Sequence, residues 1–175
     1  LTEKEYRRLL AAAKGRKNER LLLVMEAICA TGIRVSELRS FTVEAVREGR
    51  AEVVNKGKCR VVFLPGRLRK ELLRYARERG IGSGPVFVTR GGRALDRSNI
   101  WSDMKALCRE ARVEESKVFP HNLRHLFART FYRVSRDVAK LADVLGHSSI
   151  ETTRIYLIST GAEHVRQLDR LGLIS

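Results

Sequence analysis

Residues 21–31 (LLLVMEAICAT) constrain how this chain can fold more than any other feature, because they are apolar at nearly every position and end directly before Gly32. A helix that is hydrophobic on all sides must be surrounded by protein. Glycine commonly terminates helices, because it adopts the left-handed backbone conformation without strain. The sequence therefore predicts a helix over residues 18–31 at the centre of the core.

The segments on either side predict mostly helices. A capping box between Thr2 and Glu5 begins an amphipathic helix over residues 2–14. Valine-rich segments at 51–55 and 59–64 predict a small β-hairpin, to which residues 86–89 could add a third strand. Further helices are predicted over residues 35–41, 67–79, 97–111, 120–134, 135–145, 149–155 and 162–171. The predicted fold is mainly α with a small antiparallel β-sheet, in the α+β class.

The chain is strongly basic. Its 175 residues carry a formal net charge of +15 and 43% of them are hydrophobic, which suits one globular domain with a sizeable core. Residues 56–79 hold nine Lys or Arg against two Glu, a local charge of +7. Such a run either forms a solvated helix face or attracts phosphate backbones. The overall positive charge makes double-stranded DNA the first partner to consider.

Secretion, membrane insertion and a disulfide framework are not indicated. Cys29, Cys59 and Cys108 are odd in number and widely spaced, so we expect reduced thiols in a cytosolic protein. No stretch approaches 18 uninterrupted apolar residues, and residues 1–14 lack the apolar core of a signal peptide. Because the chain begins at Leu1 rather than methionine, we expect residues 1–175 to be one domain of a longer protein.

Side chains suited to phosphodiester chemistry occur in a suggestive order. Cleavage by strand transfer needs an oxygen nucleophile, cations around the phosphoryl oxygens and an acid for the leaving alkoxide. Ionising a tyrosine at pH 7 costs about 4 kcal/mol, so a tyrosine nucleophile needs a base or compensating cations. The candidates in chain order are Arg34, Lys56, His121, Arg124, His147 and Tyr156.

Each candidate also has an ordinary structural explanation. Arg34 could pair with Glu37, three positions later, and such a pair would also fix the orientation of the arginine. Pro120 predicts that His121 lies in the first turn of a helix, where it could serve only as a cap. Tyr156 could be a core or surface phenol.

A zinc site is another interpretation of the same helix. His121 and His125 are spaced i, i+4, as in metalloproteases of the HExxH type. Asn122 stands where the catalytic glutamate would be, which removes the general base. We therefore predict no metal and no cofactor.

Four motifs together resemble the tyrosine recombinase family, also called phage integrases, and especially the integrases of phages and conjugative transposons. ATGIRVSEL resembles the first arginine motif of the family, and VVNKGKCRVVFLP resembles its hairpin lysine segment. PHNLRHLFA resembles the His-x-x-Arg box, and LGHSSIETTRIY the second histidine and the nucleophile. The motifs occur in the family's order and span essentially the whole chain, so the resemblance implies that residues 1–175 are a tyrosine recombinase catalytic domain.

The resemblance implies a role for each matching residue. Tyr156 would attack the scissile phosphate and form a 3′-phosphotyrosyl link, with Arg34 and Arg124 binding the non-bridging oxygens. His147 would donate a hydrogen bond to the phosphate, and His121 would act in acid-base chemistry on the tyrosine proton.

The resemblance also implies that Lys56 is the general acid for the leaving 5′-oxygen. Asn55 replaces the first glycine of the family's turn, and the turn is one residue shorter before Arg60, which leaves Lys58 as a second candidate. Further DNA contacts are predicted at Lys58, Arg60, Lys70 and Arg74.

The predicted activity is site-specific DNA recombination or integration without metal or ATP, in the cytoplasm at the nucleoid. The family implies a homo-tetramer on DNA, an N-terminal DNA-binding domain, accessory directionality or DNA-bending proteins, and no membrane partner. Residues 158–175 could dock on a neighbouring protomer or pack in cis. Alternatives are a type IB topoisomerase, a hairpin telomere resolvase, or a basic DNA-binding module without catalysis.

Overall fold

The computed structural model describes residues 1–55, 57–89, 91–93, 95–155 and 170. Two 3₁₀ helices, Val35–Ser40 and Glu115–Lys117, accompany the longer elements in this part of the chain. The α-helices and strands in chain order are α1 (Glu3–Gly15), α2 (Glu19–Thr31), α3 (Val43–Glu48), β1 (Arg50–Asn55), β2 (Lys58–Phe63), α4 (Gly66–Glu78), α5 (Arg97–Ala106), α6 (Cys108–Ala111), α7 (Pro120–Ser135), α8 (Val138–Leu145) and α9 (Ile150–Arg154).

Helix α2 lies at the centre of the core, as the sequence predicts. Its side chains are buried on several sides, and it packs against α1, α4, α5 and α7. Asn18 caps its first turn, and Gly32 ends it with φ of +65°. A Cβ atom at Gly32 would lie 2.5 Å from the ring of Phe127, so the close approach of α2 and α7 also requires glycine here.

The β-hairpin is a two-stranded antiparallel sheet. Arg50 pairs with Phe63 at its base and Asn55 pairs with Lys58 at its turn. Successive side chains of a strand point to opposite faces. Val53 and Val62 are buried on the inner face, and the pairing of Val53 with Arg60 places Arg60 on that same face.

The predicted α+β class is confirmed, and so are most of the helices, with ends that differ from the predicted ones by at most three residues. Residues 35–41 form a 3₁₀ helix, and the predicted helix 97–111 divides at Leu107 into α5 and α6. The third strand is wrong: in the described part of the chain the sheet has two strands, and Val86 donates its N–H to the Phe41 carbonyl outside it, next to an isolated bridge between Thr42 and Pro85.

Helix α3 was not predicted from the sequence, and the helix predicted over 162–171 lies outside the described residues apart from Arg170. All three cysteines are free thiols. In the part of the chain that is described, no helix has both the length and the hydrophobicity needed to span a membrane.

Candidate active site

Arg124 is the most deeply buried charged side chain at the site, with 2% of its surface exposed. It lies one turn into α7, and its guanidinium donates to the Gly32 carbonyl and, at 2.7 Å, to the Leu145 carbonyl. These carbonyls lie at the C-terminal ends of α2 and α8, where the helix dipole is negative. The backbone therefore both stabilises and orients this cation.

His147 follows Gly146, the left-handed residue that ends α8. Its Nε2 lies 3.1 Å from Nη2 of Arg124, and its Nδ1 lies 2.8 Å from the hydroxyl of Thr153 on α9. A guanidinium has no acceptor, so Nε2 accepts and the neutral ring carries its proton on Nδ1. Burial, together with the positive charges of Arg124, Arg34 and Arg60, lowers the pKa of His147 to about 4.

Arg34 lies in the connection between α2 and the first 3₁₀ helix and is anchored by Glu37. The Glu37 carboxylate accepts from the Arg34 backbone N–H and from its Nη1, both at 2.9 Å. The same carboxylate accepts two further bonds of 2.8 Å from Arg60 on β2. Burial raises the pKa of Glu37, but the hydrogen bonds from Arg60 and Arg34 outweigh it and bring the pKa to about 2.

A pocket of about 420 Å³ brings Arg34, His121 and Arg124 together, with Arg97 and Trp101 of α5 on its wall. His121 lies in the first turn of α7, as the sequence predicts, one turn before Arg124. Partial burial and the positive charges of Arg124, Arg34 and Arg97 lower the pKa of His121. The ring is therefore neutral at pH 7 and able to accept a proton.

His125, one turn further along α7, packs its ring edge-on against His121, with 4.6 Å between the ring centroids. This pair has the i, i+4 spacing that resembles a zinc motif in the sequence. Burial and the neighbouring His121 and Arg129 lower the pKa of His125 to about 4, so this ring too is neutral at pH 7.

The turn of the hairpin lies beside the His147 loop. Nζ of Lys58 donates to the hydroxyl of Ser148 at 3.0 Å, and Gly57 takes a positive φ of +74°. Lys56, the predicted general acid, and Tyr156, the predicted nucleophile, lie outside the described residues. The described residues next to them in the chain are Asn55 and Gly57 in the hairpin and Ile155 after α9.

The predicted DNA contacts fall into different environments. Lys58 is exposed at the hairpin, whereas Arg60 has only 11% of its side chain exposed. Lys70 and Arg74 lie on α4, away from the pocket, and Arg74 is paired with Glu19, Glu71 and Glu78. These assignments stay predictions.

Two residues have a larger role in the site than the sequence predicts. Thr153 is fully buried and holds His147, yet its position six residues after the histidine carries no local signal. Glu37 was considered only as a partner of Arg34, because its contact with Arg60 joins segments 23 residues apart.

The fold and the pocket define a class: a basic helical domain with two arginines and two neutral histidines grouped to bind an anion, as proteins that process nucleic-acid phosphates require. Within that class, the chain belongs to the phage integrase family, which it matches over residues 1–163.

The chain is similar to curated tyrosine recombinases. It is 34% identical over 175 residues to tyrosine recombinase XerA of Thermococcus kodakarensis, with 95% of this chain and 60% of the relative covered. It is 33% identical over 188 residues to tyrosine recombinase XerD of Xanthomonas axonopodis pv. citri, with 96% and 60% covered. The chain thus spans about 60% of the length of these relatives.

Solved structures agree in fold. The crystal structure of XerA recombinase superposes with a TM-score of 0.81 at 27% identity, covering 100% of this chain and 64% of that one. A lambda integrase (75–356) dimer bound to a COC′ core site has a TM-score of 0.72 at 21% identity, covering 92% and 59%. The predicted resemblance to tyrosine recombinases and their catalytic-domain fold is confirmed.

Proposed function

We propose that this chain is the catalytic domain of a site-specific DNA recombinase in which Tyr156 cleaves one DNA strand at a time. The observation that carries the proposal is the grouping of Arg34, His121 and Arg124 around one pocket, with His147 bonded to Arg124. Arg34 comes from the connection after α2, His121 and Arg124 from α7, and His147 from the loop after α8, so the grouping is a property of the fold and not of one motif.

The proposed step conserves the number of phosphodiester bonds. The Tyr156 oxygen attacks the scissile phosphorus, the bond from phosphorus to the 5′-oxygen breaks, and a 3′-phosphotyrosyl link remains. The phenol proton passes to neutral His121, and Lys56 protonates the leaving 5′-oxygen. Because the phosphotyrosyl link retains the bond energy, a second 5′-hydroxyl can reverse the step without ATP. The residues invoked here need no metal ion.

Arg34 and Arg124 stabilise the charge that develops on the non-bridging oxygens. His147 accepts from Arg124 in the structure described here. A bound phosphodiester would compete for the Arg124 N–H groups, and its negative charge would favour a proton on His147. The Nε2–H would then donate to the phosphate, with Thr153 accepting from Nδ1.

Chain connectivity supports the assignment of Tyr156. Only two residues separate it from Thr153, whose hydroxyl lies 2.8 Å from His147. Consecutive Cα atoms are about 3.8 Å apart, so the Cα atom of Tyr156 lies within roughly 11 Å of that of Thr153. Lys56 is next to Asn55, which pairs with Lys58 in the hairpin turn, and Lys58 reaches the His147 loop.

The partners of the whole protein belong to the same proposal. XerH bound to difH substrate and the Tn1549 integrase bound to transposon end DNA share the fold, and both are DNA complexes. We propose double-stranded DNA as the substrate of this chain and a homo-tetramer as its working assembly. An N-terminal DNA-binding domain, accessory proteins and a location at the nucleoid stay predictions.

The test is covalent capture. Wild-type protein and Tyr156→Phe are incubated in EDTA with DNA fragments from the native genetic neighbourhood, quenched with detergent and digested, and the nucleotide adduct is mapped by mass spectrometry. We expect an adduct on Tyr156 that is absent from Tyr156→Phe. Tyr132→Phe on α7 makes the same substitution outside the pocket and should retain the adduct.

The alternatives give different results. Relaxation of plasmids without defined sites would favour a topoisomerase. Salt-sensitive DNA binding without any adduct, in the full-length protein as well, would favour a binding module and contradict the proposal.

A further inference from the structure

Arg60 was predicted from the sequence to contact DNA, but its side chain points away from solvent. It lies on the inner face of the hairpin with 11% of its side chain exposed. Its two terminal nitrogens donate to the two oxygens of Glu37, each at 2.8 Å. A guanidinium held by two parallel bonds to a buried carboxylate is oriented as well as neutralised.

The Glu37 carboxylate is shared between Arg60 and Arg34. Its Oε1 accepts from Nη1 of both arginines, and its Oε2 accepts from the Arg34 backbone N–H and from Nη2 of Arg60. Two carboxylate oxygens offer about four acceptor positions, and four donors fill them. Arg60 thus restricts the orientation of the Glu37 carboxylate, which in turn binds Arg34.

The stem of Arg60 also contacts the loop that carries His147. A Cβ atom at Gly146 would lie 2.4 Å from Cδ and 3.0 Å from Nε of Arg60, so the arginine fills the space that any other residue at 146 would need. The buried Nε has no hydrogen-bond partner among the described residues.

We infer that Arg60 is a positioning residue for strand cleavage: through Glu37 it fixes Arg34 against the scissile phosphate, while its stem seats the hairpin on the Gly146–His147 loop. This inference rests on the proposed function. A direct contact between Arg60 and DNA phosphates does not fit the geometry, because the side chain lies on the inner face of the hairpin and only 11% of it is exposed.

The test separates positioning from DNA binding. Arg60→Met keeps an unbranched stem against Gly146 but removes the paired donors. We expect the rate constant for adduct formation at saturating DNA to fall on the order of 10²-fold, because misplacing a group by about 1 Å has that effect. DNA affinity should change by less than about threefold, since a nearly buried guanidinium contributes little to phosphate binding. Arg50→Met is the matched control: it lies on β1 of the same hairpin, its side chain is 64% exposed, and the rate should stay at the wild-type value.

A double-mutant cycle tests the route through Glu37. Glu37→Gln and Arg60→Met break the same link, so the combined variant should cleave no more slowly than the slower single variant. The combined variant also removes both buried charges together, which preserves folding if Arg60→Met leaves an uncompensated carboxylate. If the rate loss of the combined variant equals the product of the two single losses, the residues act independently and the route through Glu37 is overturned.

The remaining outcomes are distinct. Loss of affinity with an unchanged rate constant would make Arg60 a DNA contact and overturn the inference. An Arg60→Met variant that folds and cleaves as fast as wild type would also overturn it, leaving the proposed function intact. Wild-type protein without a Tyr156 adduct would overturn both.

Discussion

Replacing Glu37 with glutamine measures how much the shared carboxylate stabilises the fold. Only 5% of the Glu37 side chain is exposed, and its carboxylate accepts four hydrogen bonds from two arginines. Burial raises its pKa, but the hydrogen bonds from Arg60 and Arg34 bring the pKa from an ordinary 4.5 to about 2. A difference of about 2.5 between these values corresponds to roughly 3 kcal/mol of stability at pH 7.

The sign follows from linkage. Because the pKa of Glu37 is lower in the folded state than in the unfolded state, its stabilisation is fully present above pH 4.5 and is lost as the pH falls through 2. Glu37→Gln should therefore reduce the free energy of unfolding by about 3 kcal/mol at pH 7 and by about 1.4 kcal/mol at pH 3. The value at pH 7 agrees with the roughly 3–5 kcal/mol expected when one partner of a buried ion pair is removed.

Urea denaturation followed by circular dichroism is the assay, since urea adds no ionic screening. Glu48→Gln is the matched control, because Glu48 pairs with Arg50 on the surface, where both side chains are more than half exposed. The control should change the free energy of unfolding by less than about 0.5 kcal/mol. An equal loss for Glu37→Gln at pH 7 and pH 3 would refute the reasoning, because the charge of Glu37 would then not be its source.

Three further predictions concern Gly32, Thr153 and His147. Gly32→Ala should lower the free energy of unfolding, measured in urea, by about 3 kcal/mol, because residue 32 has a φ of +65° and the new Cβ atom would meet the Phe127 ring. Gly15→Ala should not lower it, because there is open space around residue 15. Thr153→Val should slow adduct formation about tenfold in single-turnover capture, because it leaves Nδ1 of His147 without its 2.8 Å partner; a wild-type rate would contradict this. The pKa of His147 is lowered from 6.5 to about 4, so its neutral form stabilises the fold above pH 6.5 and this stabilisation is lost as the pH falls to 4. His147→Gln should therefore lose less free energy of unfolding than the wild type between pH 7 and pH 4.5. An equal loss in both proteins would contradict this.

The sequence predicted the parts of the fold that local signals determine. Thr2 begins α1 with the expected capping box, and Gly32 ends α2 in the left-handed conformation. Each of these signals acts within a few residues of the helix end it defines, so one chain contains the necessary information. His121 and Arg124 share the pocket for the same reason, since helical spacing puts them on one face.

What the sequence did not predict depends on contacts between distant segments. Val61, Val62 and Phe63 are all apolar, so alternation along β2 does not reveal which face is buried or that Arg60 lies on the inner face. Pairing with Val53 decides the face. The third strand was wrong because residues 86–89 have strand composition but Val86 finds its acceptor at Phe41, outside the sheet.

The cost of burying Arg124 explains why the site is built from helix ends. A buried guanidinium needs compensation, yet a carboxylate beside it would compete with a phosphate ligand. The carbonyls of Gly32 and Leu145 compensate as dipoles at the C-terminal ends of two helices, so they stabilise Arg124 without a full negative charge. Arg34 and Arg60 add two further cations, of which Glu37 neutralises at most one. Burial lowers the pKa values of His121 and His147, and the positive potential that these arginines retain lowers them further; a bound phosphodiester would relieve that potential.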